Sequence, residues 1–228
     1  GIRTKEAVQL LADKLTEIDT SLDEDAALVK AADIFKAVGI KVSKDNETGA
    51  LLLISPGQIE KLAQYATDHD ELDKKEVKAL LKSDNSLDLA LFGRMVADNP
   101  ELNVEGSAQV AHAISTHEVV PEFDYYTALD DLQSDETSGA AMLGTIEYNS
   151  STLYRYANLN VNELAHNLGE SNAVQGAADF IKSFLLSMPT GKQNTFANKT
   201  LPNYVMITVR TDTPVNLVTA FEDAVASK

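Results

Sequence analysis

The sequence of 228 residues contains no cysteine, which excludes disulfide bonds and thiolate metal sites. It also contains no apolar run approaching the ~18 residues that a membrane-spanning helix needs. No secretory-signal pattern is recognisable in the opening residues, and no internal repeat or low-complexity tract follows. From these absences we expect a globular protein of the reducing cytoplasm with no membrane partner. The length fits one large domain or a domain with an insertion.

Basic side chains are scarce. Only 19 lysines and arginines stand against 35 acidic residues, which gives a net charge of −16. Residues 1–88 carry 18 acidic and 12 basic side chains, residues 89–170 carry 13 and 2, and residues 171–228 carry 4 and 5. Since phosphate binding usually needs a basic face, composition alone argues against a nucleic-acid partner.

The first 87 residues are predicted to be mostly helical. Apolar residues recur at helical spacing in four stretches, which are 4–18, 22–38, 56–67 and 73–82. Two capping boxes open the second and third of these helices: Ser21 with Glu24, and Ser55 with Gln58. Between these helices, residues 40–42 and 51–54 flank a polar turn, which predicts a β-hairpin.

From about residue 88 the pattern changes to strands. The predicted strands are 89–95, 109–119, 144–158 and 204–209. The acidic segment 121–141 is too long for a tight turn and is expected to be a functional or mobile loop. The predicted helices of this part are one from Asn160 to Gly169, one at 172–187 and one at 216–227.

Four phrases stand in fixed order between residues 88 and 158. They are Asp-Leu-Ala-Leu-Phe-Gly-Arg-Met at 88–95, Ala-His-Ala-Ile-Ser-Thr-His-Glu-Val at 111–119, Asp-Tyr-Tyr-Thr-Ala-Leu-Asp-Asp-Leu-Gln at 124–133, and Leu-Gly-Thr-Ile-Glu-Tyr-Asn-Ser-Ser at 143–151 followed by Tyr-Arg-Tyr-Ala-Asn at 154–158. Together they closely resemble the CasC family, the repeated backbone subunit of the type I-E CRISPR surveillance complex Cascade. The resemblance continues more loosely over the rest of the chain.

The resemblance implies an α+β fold with a ferredoxin-like, RRM-type antiparallel sheet. In the family's terms, residues 88–228 are the palm, residues 1–87 are the helical fingers, and residues 120–141 are the thumb loop. The strands at 109–119, 144–157 and 203–209 should then lie in one sheet, which is what remains of a β-α-β-β-α-β fold without its first strand and helix. Relatives begin with that strand and a basic helix and continue beyond the final helix. We therefore expect both ends to be absent here, together with many phosphate-contacting residues.

The resemblance also implies a wedge on the thumb. Tyr126 and Leu129 would unstack one nucleotide, with Thr127 supporting the backbone. An aromatic face stacks on a base of any identity, which suits a subunit that holds arbitrary guide sequences. On the residues alone, the adjacent Tyr125 and Tyr126 would instead anchor the loop onto the core.

Arg94, Met95 and Lys192 are the other expected RNA contacts. In relatives, the methionine at the position of Met95 intercalates beside a displaced base, whereas methionine at a strand end ordinarily fills a core. Arg94 would otherwise pair with a carboxylate. Lys192 would contact phosphate or a neighbouring subunit, or simply belong to a polar turn, because the phrase 191–195 lacks the spacing of a phosphate-binding P-loop.

No catalytic site, metal site or cofactor is predicted. His112 and His117 are five residues apart and would face opposite sides of a strand. We expect His112 to be a buried, hydrogen-bonded imidazole. Asp130 and Asp131 resemble a metal-binding carboxylate pair, but capping or solvation is the commoner role of such residues.

The resemblance implies a non-catalytic subunit that polymerises along CRISPR RNA (crRNA) and kinks it so that the guide can pair with target DNA. Its partners would be crRNA, target DNA through the guide, further copies of the chain and other Cascade subunits. Two alternatives stay open. One is a metal-dependent RNA phosphodiesterase that uses Asp130 and Asp131, and the other is an acidic helical interaction domain without a nucleic-acid role.

Overall fold

The computed structural model describes residues 1–69, 71–128, 130–132 and 142–226. The chain divides into two compact units. The first unit comprises Gly1–Gln109 and Asn158–Thr208, and the second comprises Val110–Ala157 and Val209–Lys228. The division into fingers and palm at residue 87 stays a prediction.

Helices make up most of the first unit. They are α1 (Ala7–Ile18), α2 (Glu24–Ala37), α3 (Pro56–Asp68), α4 (Lys74–Lys82), α5 (Leu87–Phe92), α6 (Val161–Leu168), α7 (Glu170–Leu186) and α8 (Gln193–Phe196), with a 3-10 helix at Pro100–Leu102. The main core forms where α1 packs against α2 and α3. Leu11, Leu15 and Phe35 are buried there. Their helical spacing is the reason that the sequence predicted these helices.

The starts of α2 and α3 test the two predicted capping boxes. At α3 the box is confirmed: Gln58 N donates to Ser55 Oγ at 3.0 Å and Ser55 N donates to Gln58 Oε1 at 3.1 Å. At α2 the predicted box was wrong. Asp23 is the cap, and its carboxylate accepts from Ala26 N at 2.7 Å. A carboxylate placed there also faces the positive end of the helix dipole.

The predicted β-hairpin of residues 40–42 and 51–54 was also wrong. Strand β2 (Leu52–Ile54) pairs antiparallel with β1 (Ile2–Thr4), so that Ile54 lies opposite Ile2. Val42 forms only an isolated bridge with Thr48. The apolar pattern of 51–54 correctly predicted a strand, but a local pattern does not show which segment pairs with it. The nearby segment 40–42 was chosen because strands adjacent in sequence usually pair.

Residues 89–95 were predicted to be a strand, but most of this segment forms α5. Leu89, Ala90 and Leu91 are buried in consecutive positions. A short apolar run of this kind is compatible with a buried strand or a buried helical turn, and periodicity does not distinguish them. Gly93 ends the helix with a left-handed φ of 74°.

The remaining strands are short. They are β3 (Ala108–Val110), β4 (Ile114–Ser115), β5 (Glu122–Ala128), β6 (Met142–Tyr148), β7 (Leu153–Tyr154) and β8 (Ala157–Leu159). Among the described residues they form two-stranded sheets: β3 with β8, β4 with β7 and β5 with β6. Residues 203–209 form no strand. The prediction of one sheet for 109–119, 144–157 and 203–209 was therefore wrong.

Helices combined with small antiparallel sheets make the fold α+β, as expected. The finer assignment to a ferredoxin-like sheet remains a proposal. Pairing between distant segments determines a sheet, and alternation within a single segment does not reveal that pairing.

Two further helix predictions can be compared with the structure. Asn160 caps α6 as predicted, accepting from Glu163 N at 3.1 Å, and Gly169 ends it with φ 90°. The α-helix predicted at 216–227 was wrong, because among the described residues of this range only Leu217–Phe221 is helical, and it is a 3-10 helix. Within the described residues, no helix is both long and apolar enough to cross a membrane.

The second unit is held together without a core of its own, since none of its described residues is buried. Tyr154 is the centre of its best-defined cluster. The hydroxyl of Tyr154 donates to Asn216 Oδ1 at 2.9 Å and accepts from Leu217 N at 3.1 Å. The Tyr154 ring lies 5.1 Å from the Phe221 ring, centroid to centroid. These contacts tie the C-terminal 3-10 helix to β7.

Candidate nucleic-acid interface

Strands β5 and β6 form an antiparallel hairpin, with Glu122 opposite Tyr148 at one end and Ala128 opposite Met142 at the other. The sequence predicted a loop over 121–141, but its described residues 122–128 are strand. All seven residues of β5 are exposed. The described strand of the expected thumb is therefore exposed along its whole length, whereas Gly144, Ile146 and Tyr148 on β6 are half-buried.

The two faces of the hairpin differ in chemistry, because successive strand residues point to opposite sides. One side, which we call the aromatic face, carries Phe123, Tyr125 and Leu143, exposed by 65%, 60% and 62%. The other, which we call the acidic face, carries Glu122 and Asp124 together with Tyr126. Tyr126 therefore shares its face with two carboxylates, whereas Tyr125 shares its face with one, Glu147, which lies opposite Phe123.

Tyr126 lies over a glycine. It is opposite Gly144, and a Cβ atom on that glycine would come within 2.6 Å of the Tyr126 hydroxyl oxygen. Covering a strand glycine with an aromatic ring on the neighbouring strand stabilises the pairing. The Tyr126 side chain is 40% exposed, so it is not anchored in a core. Thr127, also exposed, lies opposite Leu143. Leu129 lies outside the described residues.

Met95 is 80% exposed and does not fill the core. It follows a turn whose backbone is fixed on both sides. Arg94 N donates to Val104 O at 2.9 Å, and Val104 N donates back to Arg94 O at 2.9 Å. A Cβ atom at Gly93 would lie 2.5 Å from Val104 O, so this turn requires glycine. The structure thus presents a flexible apolar side chain on a rigid base.

Arg94 differs from its neighbour, because only 5% of it is exposed. Its guanidinium donates to three carbonyl oxygens and one amide oxygen, none of them a carboxylate. Burial lowers the pKa of Arg94 to about 10, so the side chain stays charged at neutral pH. Since its donors are directed to the protein, this geometry argues against the predicted RNA contact. It also argues against the alternative of a carboxylate partner.

Lys192 is exposed and adopts a left-handed φ of 58° at the start of α8. Its carbonyl accepts from Thr195 N at 3.1 Å and Phe196 N at 3.0 Å. Met95 and Lys192 belong to the first unit, whereas Tyr126 and Thr127 belong to the second.

Helix α4 carries a basic face that was not predicted from the sequence. Lys74, Lys78 and Lys82 recur every four residues along α4, and Lys75 stands beside the first of them. Lys74, Lys75 and Lys82 are exposed, and Lys78 is half-buried in an ion pair with Glu101. We call these four residues the lysine face. Their spacing is visible in the sequence. The net charge of −16 describes the whole chain and does not reveal this local cluster of lysines.

The histidines and the aspartate pair were predicted to be structural. His112 is exposed, so its predicted burial was wrong. His117 Nε2 accepts from Thr152 N at 3.1 Å, and its Nδ1 lies 2.8 Å from Glu118 O. Asp130 Oδ1 accepts from Leu132 N at 3.0 Å. In the part of the chain that the structure describes, no three His, Asp or Glu side chains come together as metal ligands would.

Comparison with known proteins gives consistent matches. The family described as CT1975-like protein matches the chain over residues 1–228. A chain from a solved "CRISPR RNA-guided surveillance complex, pre-nicking" is 33% identical, with a TM-score of 0.83 over 98% of this chain and 67% of that one. A chain from a second "CRISPR RNA-guided surveillance complex" is 27% identical, with a TM-score of 0.68 over 98% of this chain and 63% of that one. The chain thus spans about two thirds of these relatives' length. No curated protein matches it.

Proposed function

The chain belongs to the CT1975-like protein family, as its resemblance to CasC indicated, and from this premise we propose that it is a crRNA-binding backbone subunit of a type I-E CRISPR surveillance complex. One observation carries the proposal. A chain of a CRISPR RNA-guided surveillance complex matches 98% of this chain at 33% identity and a TM-score of 0.83. The likeness extends to sequence as well as fold, and fold alone would not specify a function.

In the proposed role, the subunit performs no chemistry. Several copies associate head to tail along one guide RNA, each holding a segment of it against a ferredoxin-like palm. A head-to-tail contact is heterologous and open, so the length of the RNA and the other subunits limit the assembly. The protein recognises backbone and shape, while base pairing between guide and target DNA recognises sequence.

Met95 and Tyr126 are proposed to contact bases. Met95 is 80% exposed and Tyr126, whose ring covers Gly144, is 40% exposed, and the backbone beside each is held by hydrogen bonds. An aromatic face such as that of Tyr126 tolerates any base, and each base stacked on it contributes about 1–3 kcal/mol. Met95 would add van der Waals contact through its flexible thioether. Thr127 would support the backbone beside Tyr126, and Leu129 would belong to the same wedge. Arg94 is not proposed to contact RNA, because only 5% of it is exposed.

The lysine face and Lys192 are proposed to contact phosphates. Residues 74–82 hold four lysines and one glutamate, so this helix is basic although the whole chain carries a charge of −16. The acidic excess is largest between residues 89 and 170, where 13 acidic and 2 basic side chains stand. Because surface potentials are local, a basic helix can bind a polyanion on an acidic protein.

RNA binding across a salt series tests this proposal. The full-length protein is assembled with single-stranded RNA that carries 2-aminopurine, whose fluorescence rises when the base unstacks. Met95→Ala/Tyr126→Ala should weaken binding about tenfold for each stack removed and abolish the fluorescence rise. The slope of log K against log salt should not change, because neither residue neutralises a phosphate. Val29→Ala, which truncates a 63% exposed apolar residue on α2, is the control.

Substitutions of the lysines should have the opposite effect. Lys74→Gln/Lys75→Gln/Lys82→Gln should reduce the salt slope by about 0.7 for each phosphate that is no longer neutralised, with unstacking intact. Lys192→Gln should act in the same direction. Lys36→Gln on α2, whose ammonium pairs with Asp33 at 3.2 Å, should leave the slope unchanged.

Two results would contradict the proposal. Wild-type protein that binds RNA no more tightly than an acidic control protein would leave an interaction domain as the better assignment. Mg²⁺-dependent RNA cleavage that disappears in Asp130→Ala would favour the phosphodiesterase instead.

A further inference from the structure

The side chain of Arg94 joins three segments of the first unit that are distant in sequence. Its Nε donates to Leu102 O at 3.0 Å, one Nη donates to Leu53 O at 3.1 Å, and the other donates to Leu81 O at 2.7 Å. These carbonyls belong to the 3-10 helix, to β2 and to the last turn of α4. A planar guanidinium suits this geometry, because its donors diverge in a fixed fork.

Gln58 completes the polar cluster. It is fully buried, and its Oε1 lies 3.4 Å from an Arg94 Nη atom. Its Nε2 donates to Leu81 O at 2.8 Å and to Ser83 O at 2.9 Å. Leu81 O therefore accepts from both side chains. The Arg94 charge also lies at the C-terminal end of α4, where a helix dipole favours a cation.

Burying the Arg94 guanidinium among neutral oxygens has a desolvation penalty that no opposite charge offsets. Burial disfavours the charged form, and a well-packed apolar side chain would avoid that cost. What an apolar side chain lacks is directional bonds to three backbone segments at once. Arg94 thus fixes the relative position of α4, β2 and the turn that contains it, and that turn ends at the exposed Met95.

We propose that Arg94 is a positioning residue, whose side chain holds the turn at 93–95 against the end of α4 so that Met95 meets a nucleobase at a set distance from the lysine face. This inference rests on the proposed function. Arg94 touches no RNA in this arrangement. Arg94 would act on RNA only by fixing the backbone of its neighbour Met95. Arg94 is buried, and Met95 is exposed.

A double-mutant cycle between Arg94→Lys and Met95→Ala tests the inference. Lysine keeps the charge but cannot donate to three divergent carbonyls. If Arg94 acts through Met95, each single variant should lose about tenfold in RNA affinity together with the 2-aminopurine signal. The double variant should then be no weaker than either single variant, because coupled residues are not additive.

A separate variant tests whether a general loss of folding stability would by itself reduce unstacking. Thr48→Val removes another buried hydroxyl that lies 2.8 Å from Ala50 O, without touching the Arg94 cluster. All variants are compared well below their unfolding temperatures. Thr48→Val should keep full unstacking even where it lowers the melting temperature. If Arg94→Lys does not fold, Gln58→Met removes the amide partner of Arg94 together with the α3 capping box, and its loss should again be non-additive with that of Met95→Ala.

The possible failures are distinguishable. Full unstacking by folded Arg94→Lys, or losses that add to those of Met95→Ala, would overturn the positioning role and leave the proposed function intact. Unstacking by wild-type protein that Met95→Ala does not reduce would overturn the Met95 contact in the proposed function, and the positioning role with it.

Discussion

Gly93 has a conformation that other residues reach only with strain. Its φ is 74°, and an added Cβ atom would lie 2.5 Å from Val104 O and 2.8 Å from Gly106 N. Gly169 has a similar φ of 90°, but no atom lies within 4 Å of the added Cβ. Gly191 has neither constraint. Gly93 thus combines backbone strain with steric conflict, Gly169 has the backbone strain alone, and Gly191 has neither.

We expect Gly93→Ala to lower the free energy of unfolding by roughly 3 kcal/mol, because backbone strain and contact with fixed backbone atoms act together. Gly169→Ala should cost roughly 1–2 kcal/mol, because only the backbone strain applies there. Gly191→Ala should change little. Urea unfolding followed by circular dichroism measures all three, and equal losses for Gly93→Ala and Gly169→Ala would contradict the steric argument.

At the residue scale, the sequence predicted part of the candidate site. Met95 and Tyr126 were singled out, and both are exposed. For Arg94 the environment was predicted wrongly, because its three carbonyl acceptors lie 8, 13 and 41 residues away along the chain. Carbonyl acceptors are present at every residue, so no residue type in the sequence marks them.

At the scale of elements, the β5–β6 hairpin is held by cross-strand pairing, and all of β5 is exposed. At its open end, the Tyr148 hydroxyl donates to Glu122 Oε2 at 3.1 Å. This hydrogen bond, followed by the negative charge of Glu122, raises the pKa of Tyr148 above its ordinary value. A raised pKa in the folded state means that this contact contributes its full stability below the ordinary tyrosine pKa, about 10. The contribution is lost as the pH rises through the folded value.

Glu122→Gln should therefore lower the pKa of Tyr148, because the amide accepts a hydrogen bond but carries no charge. Asp124→Asn should lower it less, since Asp124 acts only through its charge and more weakly. The measurement is the pH dependence of the tyrosine Cζ chemical shift, with Tyr148→Phe to assign the signal. Identical midpoints in the wild type and Glu122→Gln would show that the contact does not persist in solution.

At the element scale, sequence succeeded where the determinants are local. Helices α1 to α4 and α7 were predicted from apolar spacing, and α6 from its Asn160 cap and the glycine that ends it. Ser55 and Asn160 were recognised as caps because capping involves neighbours within three residues. The short elements were predicted less well. Residues 89–95 were assigned to a strand since the short apolar run 89–92 suits either structure. A bulge was predicted near 149–151, where β6 ends before β7, but the strand at 109–119 was not recognised as interrupted.

Considering the whole molecule, the described buried residues all belong to the first unit. The second unit depends on exposed pairings and on the cluster around Tyr154. Segments with few buried contacts open at small free-energy cost, whereas a packed helical core opens only near global unfolding. The two units should therefore differ in resistance to a protease.

Limited digestion with a protease of broad specificity should cut first between residues 110 and 157. A fragment that contains α1 to α5 should persist. Mass spectrometry of successive time points identifies the cuts, and digestion in 4 M urea serves as the control in which both units are cleaved at similar rates. Early cuts inside α1, α2 or α3 would contradict the assignment of stability to the first unit.

The segment 203–209, which forms neither a strand nor a helix, has a consequence for how the protein behaves at high concentration. Its sequence, Asn-Tyr-Val-Met-Ile-Thr-Val, has no charge and no proline, and Tyr204, Ile207 and Val209 are exposed by 80%, 62% and 96%. Short segments of strong β-propensity and no charge are those that stack into cross-β fibrils when left unprotected. Arg210 and Asp212, which pair at 2.8 Å, are the nearest charges that could act as gatekeepers on its C-terminal side. Aggregation of the isolated protein would accordingly start at this segment.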